Sequence, residues 1–350
     1  MTSQQLCLPP SRVPDPLTAP GVSWGVIAPG NIAAQFTDTV HRASQSRVVA
    51  VAGRNEGRAQ VFAAEHGVQR AHASVSDLLA DDRVEIVYIA SPHAQHYELA
   101  RQALSSGKPV LVEKPFTLNA HQARALQNLA RQQGLFLMEA MWMRFLPQFD
   151  VLRQILADGL IGDVVTVLAD HGQMFPPDPS HRLYAPELGG GALLDLGVYP
   201  VSFAQMVLGQ LSVITSVSSP AMTGVDAQSS IIACGPHNAH ALLSTTLSSV
   251  TPTRASVSGT LGRVDVAAPF YTPGSLSVAL HSGRTAEFSH PGSLRDGMVF
   301  EAAEAARCLR HGLLESSVMS WADTVQVMEA MDAVRARAGI LYPGENSDRA

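Results

Sequence analysis

The stretch WGVIAPGNIA, Trp24 to Ala33, decides the fold. Apolar, β-prone residues run into a turn at Ala28, Pro29 and Gly30, and a helical pattern follows from about Ile32. A dinucleotide fingerprint at such a turn reads GxGxxG/A. Here Ala28, Gly30 and Ala33 fill its three small positions, so the first glycine is replaced. Gly30 lets the backbone approach a pyrophosphate, and Ala33 lets helix and strand pack closely. The N–H groups of the helix start, at Asn31 and Ile32, would bind the phosphates. Alone, this match is weak, since an ordinary tight turn reads the same way. The alternation that follows strengthens it.

Candidate strands at residues 23–28, 48–52, 86–90, 110–112 and 136–138 alternate with helical stretches near 32–42, 56–66, 96–105 and 120–133. This pattern predicts an α/β Rossmann domain, a doubly wound parallel sheet whose ligands lie beyond the carboxyl ends of its strands. After Pro147 the texture changes. A helix at 148–158 and a strand at 163–170 precede the loop FPPDPSHRLYAPELGGG, and a helix is expected at 192–208. Residues 211–289 alternate Ser, Thr and Val between turns, and two helices close the chain near 297–311 and 320–338. This predicts an α+β C-terminal domain with a large open, mostly antiparallel sheet. The expected organisation is a flexible leader at 1–20, a nucleotide-binding domain at 21–140 and a substrate-binding and oligomerisation domain at 141–350. The final helices are free to pack back on the first domain.

Composition agrees with two domains: 350 residues, 46% hydrophobic and only 15% charged. A net charge of -6 and the absence of any Lys/Arg run argue against a nucleic-acid partner. Cys7, Cys234 and Cys308 are too scattered for a disulfide framework or structural zinc, so a reducing cytoplasm is the expected setting. No run of about 18 uninterrupted apolar residues suggests a membrane span. The first twenty residues hold five prolines and one arginine, unlike a signal peptide.

The second strand ends VAVAGRNEGRA. An NAD site usually places a carboxylate there for the ribose 2′-OH, but here stand Gly53, Arg54 and Asn55. A guanidinium suits a 2′-phosphate, so Arg54, helped by Arg58, favours NADP over NAD. The fourth strand-like run is LVEKPF, Leu111 to Phe116. It ends a core strand with Glu113, Lys114 and Pro115 at the ligand edge of the sheet.

IASPHAQHYELA, LVEKPF, LFLMEAMWMRFLP and LGGGALLDLGVYPV follow one another in this order. Together they resemble the glucose–fructose oxidoreductase / inositol dehydrogenase (Gfo/Idh/MocA) family. The likeness is greatest to its branch of dimeric dihydrodiol dehydrogenases and NADP-dependent D-xylose dehydrogenases, and it covers almost the whole chain after the leader. The resemblance implies that Lys114 faces nicotinamide and substrate. There an ammonium can bond the reacting oxygen and stabilise alkoxide character, and Glu113 could balance its charge. Asp195 and Tyr199, four apart on one helix, complete the catalytic set; this branch resembles the chain in having tyrosine where many relatives carry histidine. Whether Tyr199 or Lys114 moves the proton stays open, because their titrations would be coupled. Pro200, inside the expected helix, could kink it just after Tyr199.

The same resemblance places Ser91, Pro92, His93 and His96 near the cofactor, although His96 could equally serve as a helix-start residue. It places Trp142 and Arg144 along the substrate cleft. His171, His181, Arg182 and Tyr184 frame the loop before the glycine run, either facing substrate or exposed to solvent, and Glu139 reads equally as a cleft residue or a structural one. No metal is expected. The implied activity is hydride transfer between NADP and a carbon of a sugar, cyclic polyol or trans-dihydrodiol, in a homodimer formed through the C-terminal sheet. The alternatives are a non-catalytic nucleotide-sensing protein of the same fold, or a keto-sugar reductase or transhydrogenase with tightly held cofactor.

Overall fold

The computed structural model describes residues 6–290, 292 and 296–345. The chain forms two compact units. One holds Pro14–Trp142 and residues 296–324; the other holds residues 6–13, 143–290 and 325–345.

In the first unit, β1 (Ser23–Ile27), α1 (Asn31–Ala43), β2 (Arg47–Ala52), α2 (Glu56–His66), β3 (Arg70–His72), α3 (Val75–Leu79), β4 (Ile86–Ile89), α4 (His96–Ser105), β5 (Val110–Glu113), α5 (Ala120–Gln133) and β6 (Leu137–Ala140) follow in turn. The six strands are all parallel, in the order β3-β2-β1-β4-β5-β6. Every residue of β4, β5 and β6 is buried, as a sheet covered on both faces requires. Short polar side chains start the helices: Asn55 accepts from the N–H of Arg58, Ser74 from Asp77 and Asn119 from Gln122. The short edge strand β3 and helix α3 are additions to the sequence expectation. A three-residue strand reading Arg-Ala-His carries no apolar alternation to announce it.

The second unit contains α6 (Pro147–Ala157), β7 (Val164–Gly172), α7 (Val198–Leu208), β8 (Ser212–Pro220), β9 (Asp226–Cys234), β10 (His240–Thr246), β11 (Ala255–Gly259), β12 (Gly262–Val266), β13 (Ser275–Leu280) and β14 (Thr285–Ser289). Its sheet runs β14-β13-β12-β11-β7-β10-β9-β8 and is antiparallel throughout except for the parallel pair β7–β10. One face is buried and the other open. On the open face Ile232, Leu242 and Leu168 stand in register on β9, β10 and β7, each more than 40% exposed. Two helices close the fold, α8 (Met298–Arg310), packed on α1 in the first unit, and α9 (Trp321–Ala338).

Two expectations are corrected. The leader is not flexible over its described part. The main-chain N–H and guanidinium of Arg12 bind the Asp150 carboxylate, and Leu6 is buried. Within the first unit Pro16–Thr18 form a turn capped by Asp15, and Arg307 donates to the Asp15 carbonyl. Its prolines reduce the entropy lost on ordering, and the carboxylate of Asp150, in the first turn of α6, supplies a partner. The helix expected at 192–208 is not α throughout: Leu193–Gly197 form a π turn that runs into α7. Pro200, which has no N–H to donate, lies directly after that π turn, inside the continuous helix. The apolar stretch Pro186–Leu208 is long enough to cross a membrane by composition, but 89% of its apolar window is buried inside the fold.

Candidate active site

Within the parallel-sheet unit, every residue assigned to cofactor or chemistry lies at or just beyond a carboxyl strand end. Ala28 and Gly30 follow β1. Gly30 leads into α1 without a side-chain cap, and a Cβ there would meet no atom within 4 Å. The turn therefore offers open space beside the uncapped N–H groups of Asn31 and Ile32, which fits a pyrophosphate. Ala28 takes a left-handed conformation, φ 71°, the one for which the fingerprint normally uses glycine. Past β2, a Cβ on Gly53 would lie 2.7 Å from the Pro29 ring. Arg54 and Arg58 are exposed, and among the described residues the Arg54 guanidinium has no hydrogen-bond or ion-pair partner.

Beyond β4, Ser91 and His93 are buried, and His96, at the start of α4, is wholly so. The ring nitrogens of His96 lie 2.8 Å from the Pro115 carbonyl and 2.8 Å from the Ser91 carbonyl. Two carbonyls ask for two donors, which only the imidazolium supplies. Burial, followed by His93 and more weakly Lys114, pulls the other way and pushes the pKa down to about 4. In either state the ring ties the loop after β4 to the loop after β5. His96 thus starts α4, and its ring braces the lysine loop.

Glu113 ends β5. Its carboxylate accepts from the Tyr88 hydroxyl and, at 3.1 Å, from the N–H of Lys114. Glu139, on the neighbouring β6, accepts from the N–H of Phe116 at 3.1 Å. Lys114 is thus carried on a turn fixed from both sides. Trp142 is buried in a short turn after β6.

In the mixed-sheet unit the glycine run is shaped by close approach. Gly191 has φ 116°, and a Cβ there would lie 2.3 Å from Oδ1 of Asp226. Asp226 reaches over from β9 to accept from the N–H of Leu193 at 2.7 Å, while the Tyr342 hydroxyl donates to the Gly190 carbonyl at 2.6 Å. Burial pushes the Asp226 carboxyl up to about 6, against the hydrogen bonds it accepts. From the π turn, Asp195 meets Arg182 in a two-point ion pair. Tyr199 stacks on Tyr271, ring centroids 4.6 Å apart at 29°, and His171 packs against both rings. Gln173 donates toward His171 and the Tyr271 hydroxyl. Burial raises the pKa of Tyr271, and the Asp195 charge adds to it.

Arg144 departs from its expected place along substrate. It is 1% exposed, and its guanidinium binds the Ser202 hydroxyl, the Ser202 carbonyl and the Gln205 amide oxygen on α7. A cation this deeply buried is spent on holding a helix. Of the loop residues, the Tyr184 hydroxyl bonds the Phe175 carbonyl, and His181 stacks on Phe175. The sequence reading missed Tyr271 and Gln173, which lie in loops with no motif around them. Among the described residues no cluster of His, Cys, Asp or Glu is placed to hold a metal.

A parallel sheet with an open, uncapped phosphate turn, a strand-end lysine on the same edge, and a second α+β unit define the class: a two-domain NAD(P)-dependent oxidoreductase. Residues 22–141 match the Gfo/Idh/MocA oxidoreductase family, NAD-binding Rossmann fold, and residues 149–265 match the C-terminal domain of the same family. The chain belongs to that family. It is 36% identical to trans-1,2-dihydrobenzene-1,2-diol dehydrogenase from Mus musculus, over 91% of this chain and 98% of that one. It is 34% identical to D-xylose 1-dehydrogenase (NADP(+)) from Hypocrea jecorina, over 92% and 93%. Among solved structures it is similar to a 3-ketoreductase from Actinomadura kijaniata in complex with NADP and TDP-benzene, with a TM-score of 0.77, 27% identity, and coverage of 91% and 98%.

Proposed function

We propose that this enzyme transfers a hydride between NADP and a carbon of a sugar, cyclic polyol or trans-dihydrodiol. The observation that carries the reading is the shared edge of the parallel sheet. The open turn at Gly30, the exposed guanidinium of Arg54 and the braced turn of Lys114 all lie at its carboxyl strand ends. The names of the relatives supply the substrate class.

When bound, the nicotinamide supplies the hydride acceptor or donor. In the oxidising direction the carbinol C–H and O–H bonds break and a C=O forms. The proton passes from the hydroxyl to Tyr199 or Lys114, and the remaining partner stabilises alkoxide character. Asp195 orients this set through its own carboxylate, held by Arg182. Ser91, Pro92, His93 and Glu113 line the cofactor side, with Arg58 supporting Arg54, and His171 and Trp142 serve the substrate side. The likeness to a 3-ketoreductase favours a second reading, reduction of a keto-sugar by the same groups run backwards.

The open face of the mixed sheet supports a homodimer. The cross-strand row Ile232, Leu242 and Leu168 is aliphatic and solvent-facing, as a covered interface would be. Three free thiols, at Cys7, Cys234 and Cys308, suit a reducing compartment such as the cytoplasm.

The test is fluorescence titration with NADPH and NADH on the wild type and on Arg54→Glu. Tight NADPH binding, weakened at least tenfold by the substitution, supports the assignment and directs the substrate screen to pentoses, hexoses and dihydrodiols. Binding of neither nucleotide would overturn it in favour of a non-catalytic protein. Tighter binding of NADH would overturn the NADP choice alone.

A further inference from the structure

The glycine run Gly189, Gly190 and Gly191 has no side chains, and glycine loses the most freedom on ordering, so its fasteners must come from elsewhere. Its peptides are held one after another. The N–H of Gly190 donates to the Ala185 carbonyl at 3.1 Å, and that of Gly191 to the Leu183 carbonyl at 2.8 Å. The Thr245 hydroxyl donates to the Ala192 carbonyl at 3.2 Å, and the N–H of Leu193, where the π turn begins, reaches Asp226. The Gly190 carbonyl is taken by the Tyr342 hydroxyl, from 152 residues further along the chain. A Cβ on Gly191 would lie 3.3 Å from that hydroxyl, so the missing side chain keeps its approach clear.

Tyr342 is itself fixed by a clip inside the mixed-sheet unit. Its ring is buried and lies under the Arg335 guanidinium, 4.7 Å from the ring centroid. Arg335, on α9, also binds the Glu345 carboxylate, which accepts from the N–H of Tyr342 at 2.9 Å. Beside it, Arg337 donates to the Val213 carbonyl on β8 at 2.8 Å, which ties the end of α9 to the sheet. Burial, then the Asp226 charge, pushes the Tyr342 pKa up against the pull of Arg335, so the hydroxyl keeps its proton to donate. The clip delivers that one group to the glycine run.

We infer that Tyr342 is a positioning residue for Asp195 and Tyr199: by fixing the Gly190 carbonyl it sets how the glycine run enters the π turn. The path is short. The N–H of Asp195 donates back to the Gly191 carbonyl at 3.4 Å, and the π turn runs directly into α7, whose second residue is Tyr199. An error at Gly190 is therefore carried along a continuous helix to the phenol. The inference deepens the oxidoreductase reading and rests on it only for what Asp195 and Tyr199 do.

The test uses the full chain, labelled with fluorotyrosine, as wild type, Tyr342→Phe and Glu345→Ala. Tyr342→Phe removes the hydroxyl and keeps the ring under Arg335. The six tyrosines give fluorine resonances that single substitutions assign. The Tyr199 resonance is expected to shift or split in Tyr342→Phe, while those of Tyr88 and Tyr97, in the parallel-sheet unit, stay in place. The N–H groups of Gly191 and Leu193 should exchange about tenfold faster. With NADP and D-xylose as the probe substrate, kcat of the unlabelled variant should fall about tenfold and KM stay within about twofold. A Tyr199 resonance at its wild-type position would overturn the inference, even beside a lowered unfolding midpoint. So would movement of all resonances alike, or an unchanged kcat beside a moved Tyr199 signal. Glu345→Ala loosens the clip from its partly exposed edge and should move the Tyr199 signal the same way. If Tyr342→Phe does not fold, that variant decides. A wild type that leaves D-xylose unoxidised counts against the proposed substrate class, and the resonances and exchange rates still decide the role of Tyr342.

Discussion

Arg182 grips both carboxylate oxygens of Asp195, at 3.0 and 3.3 Å. The arginine comes from the proline-rich loop and the aspartate from the π turn, so the pair fastens that loop to the helix carrying Tyr199. Asp195 is buried while the Arg182 side chain is half exposed, which discounts the strength of the pair. Arg182→Ala is expected to cost about 1 kcal/mol in thermal unfolding. It should lower kcat/KM by more than about tenfold, because a misaimed group loses transition-state contacts. Arg182→Lys should recover the stability better than the rate, since one ammonium cannot hold both oxygens.

Tyr199→Phe keeps the stack on Tyr271 and removes only the hydroxyl. We expect kcat to fall by roughly 10² to 10⁴, the usual worth of a positioned proton donor, with NADPH affinity within about twofold of the wild type. Single-turnover kinetics separate the two. An unchanged rate would hand the proton to Lys114.

Ala28→Gly should stabilise the fold. Alanine at φ 71° carries about 1 kcal/mol of strain that glycine does not, offset in part by the freer unfolded chain. The expected gain is a few tenths to about 1 kcal/mol in urea unfolding, with NADPH binding retained. A loss of stability would mean that the alanine methyl has a packing role larger than its strain.

Asp226 gives stability a pH dependence at the glycine loop. Its folded pKa, about 6, lies above the unfolded value. Its contribution is therefore complete below about pH 4 and lost as pH rises through 6, by up to about 3 kcal/mol. Asp226→Asn should flatten that slope relative to the wild type in unfolding measured across this range. A wild-type slope surviving in the variant would point to another group.

The doubly wound sheet was legible because its strands are short, mostly apolar runs separated by periodic helices. The edge strand Arg70–His72 was not, since an edge tolerates polar residues and pairs on one side only. In the site, residues sitting in motifs could be read by type: Lys114 at a strand end, Arg54 where a carboxylate is usual. Arg144 misled because sequence shows a cation but not the Ser202 and Gln205 acceptors that bury it. Tyr271 stayed hidden for a related reason: it packs against Tyr199 and His171, far away along the chain, and no local spacing reports such contacts. The π turn was equally silent, since its apolar pattern matches that of an α-helix.

The contact between Pro29 and the space at Gly53 limits how cofactor preference can drift. Any side chain at 53, acidic ones included, must first dislodge the proline ring 2.7 Å away. A descendant turning toward NAD therefore has to change 29 and 53 together, or write its carboxylate at 54 in place of the arginine. Single-step evolution at the usual position is closed.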